Sequence, residues 1–188
     1  MLQYWVAPLN AGVPWQTNVG TTLNTATTAT LSFQAPTNKD FTLPAGWFQT
    51  GMAVRVTARG VLASGGTTSN LTWIVAATGS NTALATSTAL TLGTGSLTNV
   101  PWALGALIRC IAVGSTGSTL ETSGEVIFGN VAGATSPTLG TAAAGMVPLP
   151  DSSVAIDTTA AVSLQLRGTL SAAFGSCTCQ NFLLESVA

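Results

Sequence analysis

The side chains able to do chemistry in this chain are few, and their types exclude more than they suggest. There is no histidine, so neither a Ser-His-Asp nor a Cys-His relay is available, and zinc sites built on imidazole are excluded too. The single lysine, Lys39, stands beside Asp40 in a Pro-Asn turn. A Ser-Lys nucleophile needs a desolvated lysine, and this one reads as a solvated hairpin tip. Glu121 and Glu125 fall on one face of an expected strand, but four residues of strand separate them by about 13 Å, beyond the roughly 5–9.5 Å of paired glycosidase carboxylates. Asp151 and Asp157 could meet across a loop to hold calcium, yet no DxDxDG-like run accompanies them. No residue is assigned a catalytic role, and the chain does not read as an enzyme.

The cysteines are Cys110, Cys177 and Cys179. Three thiols cannot form a closed disulfide set, which suits a reducing compartment. On a strand, residues i and i+2 share a face about 6.5–7 Å apart, at or beyond the usual separation for a bridge. They read as buried free thiols, and without a fourth ligand they do not specify a soft metal. The GTGS run at 93–96 lacks the strand, helix and lysine of a phosphate-cradling loop. No metal or cofactor is expected.

The five cations, Lys39, Arg55, Arg59, Arg109 and Arg167, are isolated from one another in sequence, so no basic stripe follows a phosphate backbone and nucleic-acid binding is disfavoured. The six acids are equally dispersed and the net charge is −1. Only 6% of residues are charged against 46% hydrophobic, with a mean hydropathy of +0.47. A monomer with so few charges lies close to colloidal instability, and burial between subunits would relieve it. The first residues carry no basic region or sustained apolar run, so no secretory signal is expected. The most apolar stretch, 100–113, is too short to span a bilayer and contains Arg109, so no membrane segment is expected.

The elements that must position these residues are strands. Thr, Ala, Gly and Ser dominate, a composition suited to pleated sheets and tight turns. Residues 1–19 show no period but hold Tyr4, Trp5 and Trp15 among Pro8, Gly12 and Pro14. They read as an extended arm whose aromatics need a covering surface, and as the candidate docking arm. Residues 20–188 then form one domain. The pattern predicts a strand over 23–33 and the clearest strand over 52–62, with Met52, Val54, Val56, Ala58 and Leu62 inward and Arg55, Thr57 and Arg59 outward. Another follows over 71–77. One thin strand is expected within 78–99, and one over 102–113 with apolar residues on both faces, consistent with cover by a second sheet or by another subunit. The pattern interrupts 120–131 at Gly124 and Gly129, makes 133–150 a long loop, and places strands over 154–157, 162–170 and 177–187. Eight or nine strands without a helical spacer predict an antiparallel two-sheet sandwich, with a jelly-roll as the leading topology. Trp73 and Trp102 read as core. Trp47, between Gly46 and Phe48, is the candidate exposed aromatic for stacking on a sugar.

The segments PAGWFQTGMAVRVTARG (44–60), LTWIVAATG (71–79), PWALGALIRCIAVGSTG (101–117) and IDTTAAVSLQLRGTLSAAFGSCTCQNFLLESV (156–187) together resemble tailed-bacteriophage virion proteins with a TNF-like or C1q-like jelly-roll. The likeness spans about residues 40–187. It implies a head-decoration, head-fibre or minor tail component, often trimeric. The expected partners are copies of itself, as a homotrimer, and the major capsid protein or a tail protein of the same particle, with assembly in the host cytoplasm. A glycan-binding tail or fibre domain is the alternative.

Overall fold

The structure is a computed structural model and describes residues 22–23, 27–32, 41–65, 69–77, 82–92, 96–129, 145–171 and 176–187. The arm bearing Tyr4, Trp5 and Trp15, and the Lys39–Asp40 turn, lie outside them. Twelve strands occur among the described residues: β1 (Thr22–Leu23), β2 (Thr27–Ser32), β3 (Phe41–Leu43), β4 (Ala53–Gly65), β5 (Ser69–Ala77), β6 (Thr82–Thr86), β7 (Leu90–Leu92), β8 (Ser96–Ala112), β9 (Thr119–Phe128), β10 (Met146–Ala155), β11 (Val162–Leu170) and β12 (Ser176–Val187). The protein is an all-β sandwich of two antiparallel sheets. One sheet runs β1-β12-β4-β8-β9-β10; the other runs β2-β11-β5-β6, with β3 also paired to β11 and β7 to β5.

Period-two alternation explains which faces meet. On β4, Val54, Val56, Ala58 and Leu62 are buried while Arg55 and Arg59 are exposed. On β11, Val162, Leu164, Leu166 and Leu170 are all buried. These inward stripes form one core, and aromatic rings bridge it. Trp73 of β5, fully buried, packs its ring 5.9 Å from Trp102 of β8 and 5.3 Å from Phe128 of β9. Each large apolar side chain taken from water contributes roughly 1.5–3 kcal/mol, so this layer is the main adhesive between the sheets.

Several boundaries differ from the sequence pattern, each for a local reason. Where the pattern predicts one thin strand over 78–99, β6, β7 and the start of β8 occupy that span, because Thr and Ala pair as readily as larger residues once a neighbouring ladder exists. The expected 133–150 loop ends earlier, since Met146–Pro150 belongs to β10. Pro148 and Pro150 lack N–H donors and so disguise this strand, but they are tolerated because β10 is an edge. Gly124 does not interrupt β9. A Cβ there would fall 2.2 Å from the Gly105 carbonyl oxygen and 2.7 Å from the Ala106 Cα, so glycine is what allows β8 and β9 to lie together. Within the chain β8 is covered on one face: Trp102, Leu104, Ala106, Ile108 and Cys110 face the core, while Leu107 and Ile111 are exposed.

A bulge on β12 resolves a conflict of phase. The register to β4 shifts between Cys179 and Asn181, leaving Gln180 exposed. The extra residue lets Cys177 and Cys179 before it, and Phe182 and Leu184 after it, all point inward.

Candidate functional site

The most distinctive surface is the outer face of the six-stranded sheet. Register aligns its outward residues in rows across five strands. Glu185 of β12, Arg55 of β4, Leu107 of β8 and Ser123 of β9 share one row. Leu183, Thr57, Gly105, Glu125 and Pro148 form the next, and Asn181, Arg59, Ala103, Ile127 and Met146 the third. On the other side of the first row, Arg109 of β8 stands next to Glu121 of β9, which pairs with Ser153 of β10.

Arg55, Arg59, Arg109, Glu121, Glu125, Asp151 and Glu185, isolated in sequence, are thereby gathered on one surface, while Arg167 lies on β11 of the other sheet. Arg109 Nη2 donates to Glu121 Oε2 at 2.7 Å, an exposed ion pair. This is the partner that Arg109 needs. Among the described residues, Arg55, Arg59, Glu125, Asp151 and Glu185 form no ion pair. Asp151 reaches this face through a bulge, because the β9–β10 register shifts between Leu149 and Ser152, leaving Pro150 and Asp151 opposite Ser123. Two shallow grooves result. One, of about 410 Å³, lies among Leu107, Arg109, Glu121, Ser123, Asp151 and Ser153. The other, of about 390 Å³, lies among Arg55, Gly105, Leu107, Ser123 and Glu125.

Apolar exposure is concentrated on the same side. Among the described residues the exposed large hydrophobic side chains are Leu107, Ile111, Val113, Ile127 and Met146, of which Leu107, Ile127 and Met146 stand in the outer rows. Ile127 and Met146 are register partners, 48% and 44% exposed. The face offers ionic and apolar groups for contact.

The other sequence candidates fall elsewhere. Cys110, Cys177 and Cys179 are free and buried. Burial raises the Cys177 thiol well above its ordinary value of 9.0, and nearby Cys179 raises it further against a hydrogen bond with Trp102. Burial pushes Cys179 up to about 12 although backbone hydrogen bonds at Asn181 and Arg59 lower it. These thiols stay protonated and unreactive at neutral pH. Asp157 is spent on a turn: its Oδ1 accepts from the Thr159 hydroxyl at 2.6 Å and the Thr159 amide at 2.9 Å, which holds the carboxyl below its usual value. Among the described residues no group of three Cys, Asp or Glu side chains is placed to hold a metal. Trp73 and Trp102 are core. Trp47 is half-buried, its ring edge-on to Phe48 at 5.0 Å, in a turn where its amide donates to the Pro44 carbonyl.

No protein-family model, curated protein or solved structure matches this chain.

The face itself is what sequence reasoning missed. Its raw signal was present: Arg55 and Arg59 share one strand phase, as do Glu121 and Glu125. What joins them is the β4-β8-β9 register, which alternation along a single strand does not encode.

Proposed function

We propose that this chain is a non-enzymatic structural subunit of a tailed-bacteriophage particle, a capsid-decoration or head-surface protein acting through contacts with copies of itself and with the major capsid or a tail protein. The observation that carries the reading is the outer sheet face, where unpaired charges and the exposed large apolar residues lie together in a chain with few charges. Such a patch is characteristic of a surface that is covered in use. The strand order adds support. Early strands pair with late ones, β1 with β12 and β2 with β11, as when a long hairpin is rolled into a jelly-roll. The four segments that resemble virion jelly-rolls favour a place on a phage particle.

Electron microscopy of purified particles labelled with an antibody to this chain tests the proposal. Label on the head is the expected result. Label confined to tail or fibre tips would favour the glycan-binding alternative, in which Trp47 is the contact to mutate. Absence of the chain from particles would overturn both.

A further inference from the structure

Resting on the reading of this chain as a self-associating subunit, we propose that the outer face of the six-stranded sheet pairs with the same face of a second copy, about a two-fold axis parallel to β8. The arrangement of charge carries this. Arg55 and Arg59 stand on β4, on one side of β8, and Glu121 and Glu125 stand on β9, on the other. A half-turn about an axis lying between the two faces and along β8 carries β4 of each copy over β9 of the other. Glu125 occupies the row between those of Arg55 and Arg59, so it faces the gap between the second copy's two arginines. Two-fold symmetry makes the contact twice. An axis running across the strands would set arginine over arginine instead.

The middle of the face accommodates such an approach. Gly105 has open space where a Cβ would stand, and Leu107 beside it meets its own copy near the axis. Arg109, on the same strand, already has its charge matched by Glu121 at 2.7 Å. Five strands at about 4.8 Å spacing and the length of β9 offer roughly 700 Å² per copy, close to the ~800 Å² per partner of a standard stable interface. The homotrimer expected from the sequence is a different arrangement. A three-fold ring joins two unlike patches, whereas opposite charges in parallel columns on one face are complementary to themselves.

Sedimentation equilibrium of the full chain at micromolar concentration tests the pairing. Wild type is expected to be dimeric. Arg55→Glu and Glu125→Arg should each weaken association at least tenfold while keeping the wild-type β-sheet circular-dichroism spectrum, because both positions are exposed on the single chain. Mixing the two variants should restore dimers, since the two altered positions then meet each other with opposite charges at one contact while the other contact keeps the original Glu125 and Arg55. A wild-type monomer or trimer, or variants that associate as wild type does, would overturn the pairing. Incorporation of the same proteins into particles is scored in parallel. Incorporation without dimerisation overturns the pairing and leaves the virion reading standing, whereas dimers that never enter particles do the reverse.

Discussion

The outer faces of the two sheets are built from the same alternation and solve different problems. On the β2-β11-β5-β6 sheet, outward hydroxyls satisfy one another across neighbouring strands: Thr42 pairs with Ser163 at 2.7 Å, and Thr72 with Thr169. Half-buried Gln165, Arg167 and Ile74 stand among these pairs and complete a laterally self-contained face. On the six-stranded sheet the outward residues add Arg55, Arg59, Arg109, Glu121, Glu125, Leu107, Ile127 and Met146 to small and polar neighbours such as Thr57, Gly105 and Ser123, and only Arg109 with Glu121 forms an ion pair among the described residues. A Thr-rich face can be left in water, because each hydroxyl is hydrated or bonded to a neighbour. The charged face carries columns of opposite sign whose match, in the pairing proposed above, comes from a second copy.

The largest expected effect joins the two faces. Trp73 holds the sheets together, so Trp73→Ala should cost about 3–5 kcal/mol, measured as a fall in the urea midpoint. A small loss with weakened ligand binding would instead make the tryptophan part of a recognition platform.

Alkali should separate the sheets next. Both deeply buried β12 thiols lie behind the charged face, and their folded pKa values exceed the ordinary 9.0, with Cys179 at about 12. Above pH 9 the unfolded chain releases thiol protons that the folded chain retains. Stability is therefore fully present below that pH and declines as pH rises from about 9 toward 12. Chemical denaturation across this range should show the slope in wild type and its loss in a Cys177→Ala, Cys179→Ala double variant. An unchanged slope would mean that other groups dominate.

On the self-contained face, Thr72→Val removes one member of the hydroxyl pair and should cost about 1 kcal/mol, with no effect on association. On the opposite face, Glu121→Gln breaks an exposed pair and should change monomer stability by less than about 0.5 kcal/mol. A reversal of these two magnitudes would mean that the charged face is structural and the hydroxyl face is the one in use.

Much of the fold was legible along the chain. Val54, Val56 and Ala58 against Arg55 and Arg59, and Val162 to Leu170, declared their faces through simple alternation. So did the core assignment of Trp73 and Trp102 and the free state of the three thiols. β6, β7 and the first half of β10 were obscured, because Thr-Ala runs and prolines carry little contrast. The apolar run of β8 pointed to cover by a second sheet or by another subunit, and the second sheet covers its inner face. Its apolar outer residues are real, but within one chain only the inner face is covered.

Composition and alternation by themselves determined a two-sheet antiparallel sandwich, since a chain without helical period and rich in β-branched and small residues has few other ways to bury 46% hydrophobic residues. A sequence without histidine also leaves most hydrolytic chemistry without its usual base. Only the tertiary structure decided that dispersed charges share one surface. Register places Glu125 beside Gly105 and Thr57, the bulge near Gln180 keeps four side chains inward, and a second bulge sets Asp151 near Arg109. Each depends on how strands align with one another. That alignment arises from packing between residues far apart in sequence, such as Trp73 against Trp102 and Gly124 against Ala106, whose separations no local pattern records.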